Sequence, residues 1–205
     1  MPQLSEDRIL PRGITNLRMA TALRHCGSTS VEEAFDKSKA QTLYVYDRPE
    51  DRYSDWTDSE PDNVSKCFIA ENPNGIELAL LPLDNKIVTG PKITCQGICD
   101  CLILTEAELG FVEFKTNVES NSYLNFLDKA ADAIAQLWHT YSGIIKPKCC
   151  KALRKEELPV EVDFYVVFDK DLKITGVSSE LMDRQNDFLE DTGLPLFFDN
   201  AKIFK

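Results

Sequence analysis

The sequence predicts an α/β protein, a mixed sheet flanked by helices. Three observations lead there. Segments of helical and strand character follow in the order helix, strands, hairpin, helix, strand. Two apolar runs, 98–104 and 111–114, are separated by a polar stretch of hairpin length. A helix over about 122–141 carries a clean apolar stripe of Tyr123, Leu127, Ala130, Ile134, Leu137, Trp138 and Tyr141, the spacing of a face that packs on a sheet.

A chain of 205 residues suggests one domain with room for a core. It divides into a helical segment, 13–40, a central unit, about 66–168, and a closing helix and strand, 179–205. In the first segment Ile14, Leu17, Ala20 and Leu23 recur every third residue, which reads as a helix over 14–25 stopped by Gly27. Ser30 and Glu33 form a capping box that starts a second helix. Residues 41–46 read as a strand. Residues 47–63 are polar, hold two prolines and read as a long loop or lid. Within it, Tyr53 and Trp56 would either stack on a base or pin the loop to the core. Strands are expected over 67–70 and 75–81, then a turn at 82–85 and a returning hairpin strand over 86–89. Gly90-Pro91 breaks the chain before the central pair. After the long helix come a strongly apolar strand, 160–168, a helix over 179–193 with a serine cap and a glycine stop, and a closing strand over 194–204.

Both central runs carry charge where a buried strand should carry none. Asp100 lies in the first; Glu113 and Lys115 lie in the second. Side chains on a strand alternate faces, so Asp100 shares a face with Ile98, Leu102 and Leu104, and Glu113 shares one with Phe111 and Lys115. Any hairpin register that keeps parity and sets Asp100 beside Glu113 or Lys115 gathers all three charges on one face. Two carboxylates and an ammonium among apolar neighbours are costly to bury unpaired. A hard divalent cation bound through carboxylate oxygens would balance them, and a lysine beside it would orient or help deprotonate an attacking water. The alternative is an ordinary cross-strand ion pair on an edge; apolar residues on both faces argue for central strands instead. Gln136 flanks the apolar stripe and either reaches this site or faces solvent. His139 has no second ligand at metal spacing and reads as ordinary.

Asp100, a hairpin-length gap, Glu113-Phe114-Lys115 and then a helix carrying Gln136-Leu137 resemble the PD-(D/E)XK nuclease superfamily over residues 75–168. Cys99 stands where the named pattern has proline. The resemblance implies a restriction-endonuclease-like core. It implies that Asp100 and Glu113 bind Mg²⁺ or Mn²⁺, with the Phe114 carbonyl as a further ligand, and that Lys115 activates the water that attacks a phosphodiester, supported by Gln136. In that fold an acid from an early helix sometimes joins the metal. Glu32, Glu33, Glu71 and Glu77 are all open for that role. The implied function is metal-dependent hydrolysis of nucleic acid, DNA by family habit. The alternative is a domain of the same fold that has lost catalysis and binds a protein partner.

Net charge is −11 and the pI near 4.7, which opposes nucleic-acid binding globally. The acids are unevenly placed: Asp47, Glu50, Asp51, Asp55, Asp58, Glu60 and Asp62 fall in one stretch. Residues 146–155 hold Lys146, Lys148, Lys151, Arg154 and Lys155 with no acid. That segment would guide a phosphate backbone, or is simply a solvated loop after the helix. The seven cysteines, an odd number, fit a reducing compartment. Cys95, Cys99 and Cys101 share a face if their strand is unbroken, as small core residues rather than metal ligands. No run is long enough to span a membrane, and residues 1–13 lack the apolar stretch of a signal peptide, so a cytoplasmic protein is expected.

Overall fold

The computed structural model describes residues 9–48, 50, 52–118, 123–172 and 177–205. The first apolar repeat does not form one helix. A repeat of three drifts around a helix of 3.6 residues per turn. The chain breaks at Arg18 (φ 50°) into α1 (Arg12–Asn16) and α2 (Met19–Ala22). The break lets Ile14, Leu17, Met19 and Leu23 all be buried. The capping box closes on α3 (Val31–Ala34), where the Ser30 N–H donates to Glu33 Oε2 at 3.1 Å.

Among the described residues ten strands follow: β1 (Asp36–Ser38), β2 (Thr42–Arg48), β3 (Tyr53–Thr57), β4 (Phe68–Glu71), β5 (Leu78–Pro82), β6 (Cys101–Leu104), β7 (Glu108–Phe114), β8 (Glu161–Val167), β9 (Leu196–Phe197) and β10 (Ala201–Ile203). They build a six-stranded sheet, β1-β5-β6-β7-β8-β9, and a four-stranded sheet, β10-β4-β2-β3. The large sheet is antiparallel from β1 to β7 and parallel from β7 to β9. It is the mixed sheet the element order predicts. Its faces differ. Leu81, Leu102, Leu104 and Phe111 pack with the helices. Leu80, Cys101, Ile103 and Val112 pack against Leu43, Val45 and Phe68 of the small sheet. The layers are therefore helices, large sheet, small sheet, and β6 and β7 are covered on both sides.

Four expectations about these elements are corrected. Residues 47–63 are not a lid, because they contain β3, which pairs antiparallel with β2. Its inward side chains, Ser54 and Trp56, are buried, and Trp56 Nε1 donates to Asp36 Oδ2 at 2.6 Å. Residues 86–89 form no strand. The Leu83 carbonyl accepts the N–H groups of Lys86, Ile87 and Val88, which closes a compact turn. The closing strand is two strands, β9 and β10, one in each sheet. Cys99 lies in the helical core and Cys101 between the sheets, since β6 begins only at Cys101; Cys95 is exposed.

The long helix α4 (Tyr123–Trp138) buries Phe126, Ala130, Ala133 and Leu137. It does not stop at Tyr141. A π-helical segment, His139–Ile145, leads directly into α5 (Lys146–Leu153). Pro147 sits in the first turn of α5, as proline prefers at a helix start. The wider π turn re-aims the helix, so Tyr141, Ile144, Ile145 and Cys149 stay buried. The basic segment 146–155 is thus a helix with its cap, not a loop. The helix α6 (Ser178–Thr192) ends at Gly193 (φ 72°), the expected stop, but has no side-chain serine cap. No helix among the described residues is long and apolar enough to cross a membrane.

Candidate functional site

The β6–β7 register pairs Cys101 with Val112. One step further along it sets Asp100 opposite Glu113, at the end of the sheet where β6 begins and β7 finishes. Asp100 Oδ2 accepts the Phe114 N–H at 2.6 Å, and the Asp100 carbonyl accepts the Leu83 N–H at 2.8 Å. Beyond β7 the Lys115 N–H donates to the Val167 carbonyl at 2.8 Å, so the ladder holds Lys115 in line. Lys115 Nζ donates to Glu113 Oε1 at 2.5 Å and to Gln136 Oε1 at 2.8 Å. The three charges meet on one face, and α4 delivers Gln136 to them. Gln136 does not merely face solvent. The Phe114 backbone belongs to the same point, while its side chain lies between the sheets.

Two devices fix Gln136. Thr140 Oγ1 donates to the Gln136 carbonyl at 2.7 Å and accepts the Cys99 N–H at 2.9 Å, which staples the helix to the stretch before β6. Gly97 supplies the other. Its backbone, φ 79° and ψ 154°, is open essentially to glycine alone, and a Cβ there would stand 2.5 Å from Gln136 Cγ. Gly97→Ala is expected to push Gln136 off Lys115 and to lower stability by about 1–3 kcal/mol. Cation binding through Asp100 and Glu113 should survive. Thermal denaturation beside a cation titration checks both.

Glu113 is 3% exposed. Its Oε2 has no hydrogen-bond partner among the described residues, which is unusual for a buried carboxylate oxygen. Burial pushes the Glu113 carboxyl up to about 7, against the opposing pull of the Lys115 ammonium. Burial, then the charge of Glu113, holds Asp100 well above the ordinary carboxylate range, and the Phe114 N–H opposes the rise. Burial also raises Asp84 and Asp47. The Asp84 charge acts on Glu113, and the Asp47 charge acts on Asp100 and Asp84.

Asp47 and Asp84 are the residues that the sequence reading missed. Asp47 stands among the acids of 47–63, and Asp84 in the turn expected at 82–85, where neither was given a role. The signal for Asp47 is its parity with Leu43 and Val45, both buried. The upstream candidates are occupied elsewhere: Glu33 caps α3, Glu77 Oε1 accepts the Arg12 N–H at 3.3 Å, and Glu32 and Glu71 are exposed. His139 Nε2 lies 3.1 Å from the Ile93 carbonyl.

The basic segment is separate. Lys146 bridges Glu157 at 2.6 Å, Arg154 is the left-handed cap of α5, and Lys148 and Lys151 border a cavity with Thr21 and Ala22. Among the described residues, none of the described hydrogen bonds or ion pairs joins Lys146, Lys148, Lys151, Arg154 or Lys155 to the four-residue site.

Among the described residues no three Cys, His, Asp or Glu side chains stand ready-made around one ion. Mg²⁺ keeps several waters and is held through one or two carboxylates. The Asp100–Glu113 pair, with an unpartnered buried oxygen, meets that requirement. No protein-family model, curated protein or solved structure matches this chain.

Proposed function

We propose that the chain is a metal-dependent nuclease of the PD-(D/E)XK type that hydrolyses phosphodiesters in nucleic acid, DNA first. One observation carries the reading. Asp100, one residue before β6, extends the β6–β7 register to face Glu113 of β7, Lys115 bonds both Glu113 and Gln136, and one Glu113 oxygen lacks a partner among the described residues. The succession β5, β6, β7, α4, β8 supports the restriction-endonuclease-like core.

Mg²⁺ or Mn²⁺ held by Asp100 and Glu113, with the Phe114 carbonyl, would polarise the phosphate and lower the pKa of the attacking water. The chain's own residues do the rest. Lys115, pinned from two sides, presents a fixed positive charge where the phosphate turns over, with no reorganisation needed. Gln136 holds that ammonium from the helix. The apolar surroundings exclude water and strengthen each charge interaction. The cations of 146–155 are the proposed contacts for the phosphate backbone beyond the reacting group. The seven free thiols support a reducing, cytoplasmic setting.

The test is Mg²⁺- or Mn²⁺-dependent cleavage of mixed single- and double-stranded DNA and RNA, wild type beside Lys115→Ala. Wild type should cleave, and the variant should fall by about 10²–10⁴-fold. Equal rates would place the activity elsewhere. A folded wild type that binds cation without cleaving would favour the second reading, a protein-binding domain of this fold, which the net charge of −11 supports.

A further inference from the structure

We propose that Lys86, held over the Tyr53 ring, is a second phosphate-binding residue of the site: it takes a phosphate of the nucleic-acid strand beside the one that is cleaved. The inference rests on the nuclease reading and adds two residues from elements outside its motif.

Backbone hydrogen bonds carry Lys86 to the site. The β5–β6 register pairs Pro82 with Cys101. On the next rung the Leu83 N–H donates to the Asp100 carbonyl at 2.8 Å. The Leu83 carbonyl accepts the N–H groups of Lys86 at 3.3 Å, Ile87 at 3.1 Å and Val88 at 2.9 Å. One tight turn, through Asn85 (φ 56°), therefore separates Lys86 from the backbone of Asp100. Ile87 and Val88 are fully buried and anchor that turn, which leaves Lys86 half-buried. Tyr53 comes from the other sheet. It opens β3, opposite Arg48 in register. β3 packs against β5, and the Trp56–Asp36 hydrogen bond pins it to β1, the neighbour of β5. Lys86 Nζ lies 3.8 Å from the centroid of the Tyr53 ring.

The state of that ammonium points to an anionic ligand. Lys66, Lys146 and Lys202 each bridge a carboxylate. Among the described residues Lys86 Nζ makes no ion pair or hydrogen bond, and the ring is its partner. Acids nearby are engaged otherwise: Asp84 Oδ2 accepts Asn85 Nδ2 at 2.8 Å, and Asp55 takes Arg48 at 3.2 Å. An aromatic face attracts an ammonium without using its N–H donors. Lys86 has thus given up part of its water and keeps donors for a phosphate oxygen. Lys115 is committed to Glu113 and Gln136, so a neighbouring phosphate needs another cation. In sheet order Asp100 stands between the turn that carries Lys86, after β5, and the end of β7 that carries Lys115. A strand laid across that end of the sheet meets one cation on each side of the carboxylates.

The experiment measures initial rates of Mg²⁺-dependent cleavage of short mixed-sequence DNA, single- and double-stranded, over a series of salt concentrations. The proteins are wild type, Lys86→Gln, Lys86→Arg, Tyr53→Leu and the control Lys205→Gln, each checked for folding by circular dichroism. Lys205 is exposed at the other end of β7, where its N–H bonds Glu108. Glutamine keeps the stem over the ring and removes only the charge. Lys86→Gln is expected to raise KM by about fivefold to tenfold near 0.1 M salt with kcat within about twofold, and to lower the slope of log KM against log salt by about 0.7–0.9, the loss of one phosphate contact. Lys86→Arg should restore both, Tyr53→Leu should raise KM in part, and Lys205→Gln should match wild type. An unchanged KM and salt slope in Lys86→Gln would overturn this inference and leave the proposed function standing. So would an equal change in Lys205→Gln, or a loss confined to kcat. No cleavage by wild type would overturn both.

Discussion

Glu113→Gln is expected to end cation-dependent cleavage and, at pH 8, to make the protein more stable. The two effects have one cause. Glu113 is buried on a central strand, and its carboxyl is raised to about 7 from an ordinary 4.5. A carboxyl whose folded value is raised binds its proton more tightly in the folded state. Its stabilising contribution is complete below about pH 4.5 and is lost as the pH climbs to about 7. Over that window the wild type should give up on the order of 3 kcal/mol from this group. Glutamine keeps an oxygen for Lys115 and never ionises. The variant should therefore lose less stability than the wild type from pH 5 to pH 8, a difference of roughly 5–10 °C in Tm at pH 8 for a chain of this size. Cleavage should fall by at least about 10³-fold, the scale of losing a preorganised charge at a reacting centre. Denaturation at both pH values, beside an assay at pH 8, checks both. A variant that is less stable than wild type at pH 8 would mean that the Glu113–Lys115 pair is structural.

Phe111→Ala is expected to give the largest loss of stability, about 3–5 kcal/mol. Phe111 is fully buried. Its ring lies 5.1 Å from that of Phe164 on β8 and 5.7 Å from that of Tyr141 in the π segment, and Tyr141 and Phe164 lie 5.5 Å apart. The three rings tie β7, β8 and the helical connection together. Truncating the ring opens a cavity in a dense layer, and two aromatic contacts go with it. Urea denaturation measures the loss, and Phe111→Leu, which refills most of the volume, should recover the greater part. The half-exposed ring of Phe197 stacks at 5.2 Å on Tyr165, and Phe197→Ala should cost far less. Cleavage at low temperature should survive Phe111→Ala wherever the protein stays folded, because Glu113 and Lys115 take their positions from the β-ladder.

The central motif is legible in the sequence because strand alternation is rigid. Once 98–104 and 111–114 pair as a hairpin, parity alone puts Asp100, Glu113 and Lys115 on one face, and the register obeys it. The capping box at Ser30 and the glycine stop at Gly193 are equally local and hold. What failed was judged from composition. The acids and prolines of 47–63 hide β3, whose Ser54 and Trp56 are buried by a sheet that the stretch itself does not reveal. The apolar stripe of α4 reads in the sequence as ending at Tyr141, because a π turn changes the period and no residue pattern announces it. Cys99 and Cys101 part because β6 starts three residues later than the apolar run.

Local rules of period and capping let the sequence by itself determine the fold class, the paired strands and the four residues Asp100, Glu113, Lys115 and Gln136 as a candidate set. Only the tertiary structure decided that Gln136 reaches Lys115, through Gly97 and Thr140, and that Asp47 and Asp84 join the field of the site. Those contacts join residues 21–53 positions apart, set by how two sheets and a helix pack, and no local pattern of charge or hydrophobicity encodes distances across such separations.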